Sequence, residues 1–210
     1  MGKFKLNSVE IEWLGHASFR ISDGTVVIYI DPYVLPEYAE KADLILVTHD
    51  HFDHCATDNI KKIADDSTVV VCPPMCESKL VGLNVKTISP GDKLEEKGVV
   101  VEAVHSYNLF KAFHPKGKGI GFIITLDGKR IYHAGDTDFI PEMKELKNID
   151  VALLPIGGTY TMDEVEAAEA ANTIKPKIVV PMHYNYLEGL EKDPERFKKL
   201  VNEEIEVKIL

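Results

Sequence analysis

The chain has 210 residues, 45% hydrophobic and 28% charged, enough for a full core in a single domain over 1–210. With 34 acids against 24 bases the formal net charge is −10, so a broad nucleic-acid or anionic-membrane face is not expected. No apolar run approaches the ~20 residues that span a bilayer, Met1 to Asn7 lacks an apolar signal core, and Cys55, Cys72 and Cys76 show no Cys-x-x-Cys spacing. The expectation is a reduced, cytoplasmic protein without a disulfide framework.

The first half opens on short strands. Val9 to Leu14 alternates, Gly15-His16-Ala17-Ser18 interrupts, and Phe19 to Ile21 resumes. Asp23-Gly24 marks a hairpin into Val26 to Ile30, which ends at Asp31-Pro32. Leu44 to Val47 reads as a buried strand, Ala56 to Ala64 as a helix, and Val69 to Val71 as another buried strand, stopped by Pro73-Pro74. A short helix is expected near Met75 to Val81, then strands at Val85 to Ile88 and Val99 to Val104. The second half repeats the rhythm. Gly119 to Leu126 and Arg130 to His133 flank the hairpin signal Asp127-Gly128, Phe139 to Leu146 reads as a helix, and Val151 to Leu154 as a strand. Thr161-Met162-Asp163-Glu164 has the form of a capping box and opens a helix to about Ile174. Ile178 to Val180 leads into Pro181-Met182-His183; a helix near Pro194 to Asn202 and a strand near Ile205 to Leu210 close the chain. Hairpin, strand, acidic turn and helix thus occur around 19–66 and again around 119–174, which predicts two sheets packed face to face with helices outside.

Chemistry concentrates in Thr48-His49-Asp50-His51-Phe52-Asp53-His54-Cys55, directly after the apolar run Leu44 to Val47. So many ionisable groups at the end of a core strand are costly to desolvate unless something satisfies them together, and a divalent metal is the simplest partner. Other strands also deliver a ligand type just past their ends: Asp31, His105, His133 with Asp136, and His183. Loops at that edge are the common site of α/β folds. On an extended segment residues two apart point the same way, so His49 and His51 suit one ion, while Asp53 and His54 reach a second. Two shells of four or five donors need more than these. His105, Asp136 and His183 supply the rest, and the Asp136 carboxylate is the natural bridge between ions ~3.5–4 Å apart. The expected cofactors are two divalent ions; zinc suits the donors, and manganese, iron or nickel fit them too.

His49-x-His51-x-Asp53-His54, with His105, Asp136 and His183, resembles the metallo-β-lactamase superfamily over nearly the whole chain. Trp13-Leu14-Gly15-His16-Ala17-Ser18, His133-Ala134-Gly135-Asp136-Thr137 and Pro181-Met182-His183-Tyr184 are similar to its compact branch, which includes ascorbate-6-phosphate lactonase-like proteins and metal-dependent hydrolases. The resemblance implies an α/β fold, a four-layer αββα sandwich with the site at one edge. It implies His49, His51 and His105 on one ion, Asp53, His54 and His183 on the other, Asp136 between them, and Asp31 supporting the histidine loop. His16 would border the pocket. Residue 51 is His where a redox diiron relative carries Glu, which points to hydrolysis. No insertion matches the RNA-clamping arm of ribonuclease Z-like enzymes.

Several residues read as structural. His133 is expected behind the ligands or as a strand residue, His114 in a surface loop, Cys55 under a helix start, and Cys72 and Cys76 in core or loop. The stretch Ser106 to Lys118 is expected to overhang the site. It carries Tyr107, Phe110, Phe113, Lys111, Lys116 and Lys118 in an acid-free span, and reads as a lid for a small anionic substrate. The functional expectation is a dinuclear metal-dependent hydrolase using a metal-bound hydroxide on a small ester, lactone or phosphodiester. Asp53 orients the nucleophile, and His16 or a lid lysine steadies the leaving group. A nuclease of the same fold, and a non-catalytic metal-binding or sensing module, remain as alternatives; the first needs a basic track near the site.

Overall fold

A computed structural model describes residues 2–210. Two sheets of seven strands each build the centre of the molecule. The first holds β1 (Gly2–Leu6), β2 (Val9–Gly15), β3 (Ser18–Ser22), β4 (Val27–Ile30), β5 (Leu44–Leu46), β6 (Val69–Cys72) and β7 (Asn84–Thr87), paired in that order. The second holds β8 (Lys93–Glu96), β9 (Val99–His105), β10 (Ile120–Leu126), β11 (Lys129–His133), β12 (Val151–Pro155), β13 (Ile178–Met182) and β14 (Glu206–Val207), also in sequence order across the sheet. In each sheet the first four strands pair antiparallel and the rest continue parallel. The two halves therefore repeat one plan, as the rhythm of the sequence implies.

Alternation along the strands makes the layers. Ile28, Ile30, Leu44, Leu46, Val69 and Val71 turn inward and share one core with Phe122, Ile124 and Ile131 of the second sheet. Tyr29, Ile45, Val70 and Cys72 turn outward, where α1 (Thr57–Ile63) and α2 (Pro74–Glu77) cover them with Ile60, Ile63 and Cys76. On the far side, α3 (Glu164–Ile174) lays Ala167, Ala170, Ala171 and Ile174 on the second sheet, and α4 (Pro194–Leu200) adds Phe197. The small alanine face lets α3 approach closely. The result is an α/β sandwich of helix, sheet, sheet and helix layers.

Three local expectations change. The helix at Phe139 to Leu146 shrinks to a 3-10 turn at Pro141–Glu145, because Asp138 is held by Tyr107 and Asn148 (φ 56) turns the chain into β12. The capping box sits two residues later than read. Asp163 accepts from the amides of Val165 and Glu166, and the Glu166 side chain returns to the Asp163 amide, while the Thr161 carbonyl is taken by Lys111. The edge strands β1 and β8 were not legible: each alternates half-buried and exposed positions and carries charge, with no apolar run to announce it.

Parallel strands end on a common side of their sheet. Asp31 after β4, the histidine turn after β5, Asp136 after β11, Gly157 after β12 and His183 after β13 therefore meet at one edge of the sandwich.

Candidate metal centre

The segment from His49 to Cys55 is a run of turns, not an extended strand: the amides of His54 and Cys55 both bond the His51 carbonyl, at 3.1 and 2.8 Å. The extended geometry expected there is absent, yet His49 and His51 fall in one spatial group and Asp53 and His54 in another. His49, His51 and His114 bring donor atoms within 4.8 Å of one another, and so do His16, Asp53, His54 and His183. His49, His54 and Asp136 form a third such group that joins the other two. Asp136 lies between them. Its Oδ1 is 3.4 Å from His54 Nε2, and its Oδ2 is 3.3 Å from His114 Nε2 and 3.1 Å from His183 Nε2.

His105 is not in this cluster. It ends β9 and lines a small surface recess with Val104, Ile140, Glu142 and Met143 on the outer side of the second sheet. The expectation that His105 supplies a metal donor is overturned in geometry: His114 occupies that place. His114, read as a surface-loop residue, is 6% exposed. The loop between β9 and β10 folds back over the histidine turn, with the Ile120 amide on the Thr48 carbonyl at 2.9 Å, and it is pinned from within. Asn108 Oδ1 accepts from the His114 amide at 3.0 Å and meets its Nδ1 at 3.1 Å, while Asn108 Nδ2 donates to Asp138 at 3.0 Å. Lys111 closes the network on Asp138 at 2.7 Å. The only sequence signal for His114 was its place in the acid-free stretch that follows β9.

Three of the imidazoles, His49, His54 and His114, are each held by a partner on Nδ1. Asp31, fully buried, accepts from the Thr48 amide and hydroxyl at 2.8 and 2.7 Å and from His54 Nδ1 at 2.7 Å. The Thr48 hydroxyl, donating to Asp31, in turn accepts from His49 Nδ1 at 2.9 Å. These bonds fix the protons on Nδ1 and leave Nε2 of His49, His54 and His114 as acceptors facing the centre. Nε2 of His49, His54, His114 and His183 and Oδ1 of Asp136 are all buried without a hydrogen-bond partner. An unsatisfied buried polar atom costs roughly 1–3 kcal/mol. Several of them converging on one point fit a divalent cation, and the imidazole and carboxylate donors match its chemistry.

His16 Nε2 bonds Asp53 Oδ2 at 2.9 Å and so orients that carboxylate. His133 lies behind the ligands, bonded to the Ala17 carbonyl at 3.0 Å and accepting the Gly135 amide at 3.2 Å. Gly135 itself needs φ +64, and a Cβ there would sit 3.0 Å from the Ile120 carbonyl, so the turn that presents Asp136 depends on glycine. His16 (φ 53), Asp31 (φ 43) and His183 (φ 60) hold left-handed backbone without being glycine, a strain that collects at functional sites. The His183 amide bonds the His16 carbonyl at 2.9 Å, which ties two of these turns together.

Electrostatics agree with the geometry. Burial, then His54, hold His49 well below the usual imidazole range, so it stays neutral and able to ligate. Burial would raise Asp136, but His183 and His54 outweigh it and keep the carboxyl ionised. Burial likewise opposes Asp53, yet its bond to His16 and the charge of His54 bring it down to about 2. His54 is pushed up: burial alone would lower it, but Asp136 and Asp31 win. A cation binding between these groups replaces the His54 proton.

The centre opens into a cavity of about 440 Å³ walled by Phe52, Phe113, Tyr160 and Leu187. Of the lid expectation, Phe113 and His114 reach this cavity. The lysines do not: Lys111 bonds Asp138, Lys116 bonds Glu142 at 2.8 Å, and Lys118 is exposed off the lining.

Comparison with known proteins agrees with this centre. Residues 10–183 match the Beta-lactamase superfamily domain. The chain is 42% identical to a UPF0173 metal-dependent hydrolase of Thermococcus onnurineus, covering 96% of each chain, and 38% identical to one of Pyrococcus abyssi over the same shares. Among solved structures it is similar to Igni18, a novel metallo hydrolase from Ignicoccus hospitalis, with TM-score 0.81 and 29% identity over 96% of this chain and 94% of that one. The strand-end donors, the sandwich that carries them and these relatives lead to one family: the chain belongs to the beta-lactamase superfamily, among its UPF0173 metal-dependent hydrolases.

Proposed function

We propose that the chain is a dinuclear hydrolase acting on a small ester, lactone or phosphodiester. The observation that carries the reading is Asp136, one buried carboxylate whose Oδ2 lies 3.3 Å from His114 of one donor set and 3.1 Å from His183 of the other, while its Oδ1 lies 3.4 Å from His54. His49, His51 and His114 would hold one divalent ion and Asp53, His54 and His183 the other, with Asp136 placed between the two sets. Zinc suits this set, and manganese, iron or nickel fit the same atoms. When bound, such ions lower the pKa of water toward about 7 and polarise the scissile group.

The chain's own groups do the rest. Asp31 and Thr48 hold the histidine turn in register. Asp53, ionised at neutral pH and aimed by His16, takes the proton of the attacking water. The cavity walls exclude bulk water from one side of the substrate. The nuclease alternative loses support, because no lysine or arginine lines the cavity among the described residues. The sensing alternative loses support because the centre opens into a substrate-sized space, whereas structural metal sites are closed.

Metal analysis of the purified chain and of Asp136→Ala tests the reading. Two ions per chain are expected, with both weakened and turnover cut on the order of 10³-fold in the variant. One ion per chain, or a variant that keeps its turnover, overturns it.

A further inference from the structure

The cavity over the centre is asymmetric. One wall is apolar, made by Phe113, Tyr160, Leu187 and Phe52. Phe113 meets Tyr160 edge to face at 4.7 Å between ring centroids, and Phe52 meets Tyr33 in the same manner at 5.9 Å. The rings are braced by each other rather than buried: Phe52 and Phe113 remain 69% and 50% exposed. Aromatic surface held open beside a reacting centre is ready to be covered by an apolar ligand.

Beyond the donors themselves, the charged residue on the cavity lining is Glu188. Lys111 pairs with Asp138 at 2.7 Å, Lys116 with Glu142 at 2.8 Å and Lys79 with Asp50 at 3.1 Å, and neither these nor the exposed Lys118 stands on the lining. A phosphate or carboxylate on the substrate outside the scissile group would find no cation there, and would face Glu188. Sites that take phosphate present arginine, lysine or clustered amides to it.

Resting on the hydrolase reading above, we propose that the substrate is an uncharged carboxylic ester or lactone whose acyl part carries an apolar group about the size of phenylacetyl, seated against Phe113, Tyr160 and Leu187. Hydrolysis adds water across the acyl C–O bond. The hydroxyl goes to the acyl carbon, the bond to the leaving oxygen breaks, and the remaining proton passes to that oxygen through Asp53. The anionic substrate suggested by the lysine content of the lid is replaced by a neutral one, because none of those lysines lines the cavity.

The test uses zinc-loaded protein with p-nitrophenyl phenylacetate, p-nitrophenyl acetate and the phosphodiester bis(p-nitrophenyl) phosphate, and calorimetric binding of phenylacetohydroxamate against acetohydroxamate. The phenylacetyl ester should exceed the acetate in kcat/KM by about tenfold or more, and the aryl hydroxamate should bind tighter by a similar factor. Phe113→Ala and Leu187→Ala, with metal content checked, should each narrow both ratios at least about threefold, mainly through KM and Kd. Equal ratios in wild type, ratios untouched by both variants, or a phosphate ester cleaved faster than either carboxylic ester overturn the substrate assignment and leave the hydrolase reading standing. A chain that binds no metal, or cleaves none of the three, overturns both.

Discussion

The two donor sets of this centre are held in different ways. Asp53, His54 and His183, with His16 behind them, are all buried, and His16 and His183 sit on strand-end turns locked by the amide of one and the carbonyl of the other. His49 shares that rigidity through Thr48 and Asp31, but its companions do not: His51 is exposed and His114 is carried by the loop after β9. That loop keeps its place through Asn108, Asp138 and Lys111. Strand ends fix a ligand for free once the sheet forms; a loop must spend polar contacts to do the same. The set built on the sheet is therefore the stiffer of the two, although donors of both sets, His51 and His114 on one side and Asp53 and His183 on the other, line the cavity.

The largest effect should come from His114→Ala set beside His105→Ala. The first should lose one ion per chain and on the order of 10³-fold in turnover, while the second keeps its metal content and stays within about twofold. The reverse result would restore His105 as the donor and break the comparison. Next in size, Asp138→Asn and Asn108→Ala should weaken one ion, not both, by about 10- to 100-fold in affinity, as losses behind a ligating imidazole do. Equal loss of both ions would mean that the loop does not belong to one set. Wild-type protein dialysed against a chelator should likewise release one ion before the other; simultaneous loss would make the two sets equivalent.

The smallest effect is a control remote from both sets. Asp150, where β12 begins, bonds the Arg130 amide at 2.9 Å and Lys177 at 2.7 Å. Burial would raise its carboxyl, but those bonds outweigh it and hold it below the usual range. A depressed carboxyl adds stability above its unfolded value near 4. That stability disappears as pH falls through the folded value. Asp150→Ala should cost about 1 kcal/mol by denaturant unfolding at pH 7, the gap should close toward pH 3, and neither ion should be favoured. A gap that persists in acid would assign the loss to packing instead.

The legible parts of the molecule share a cause. The strands β5, β6, β12 and β13 are buried on both faces, so they appear as unbroken apolar runs such as Leu44-Ile45-Leu46-Val47 and Ile178-Val179-Val180. Residues just past such strands have little freedom, and for that reason the sequence itself points to His49 and His183 as neighbours at one edge. The edge strands β1 and β8 need only one partner and tolerate charge, so their sequences carry no such mark. His105 shows the limit of the strand-end rule. It ends β9, which runs in the same direction as β11, yet the recess it lines is outside the centre, so a strand end at the right edge does not by itself deliver a donor.

The sequence alone determined a metal centre at one edge of a two-sheet sandwich, because buried apolar runs fix where strands end and ionisable residues there need a shared partner. The tertiary structure alone decided which loop residue completes the first donor set and which side chains wall the cavity. A loop's path depends on long-range hydrogen bonds, here from His114 to Asn108 and from Asn108 and Lys111 to Asp138, that no spacing along the chain encodes. For the same reason lysines counted as substrate partners proved to be ties within the protein: a charge shows which partners it can take, and only the fold shows which one it meets.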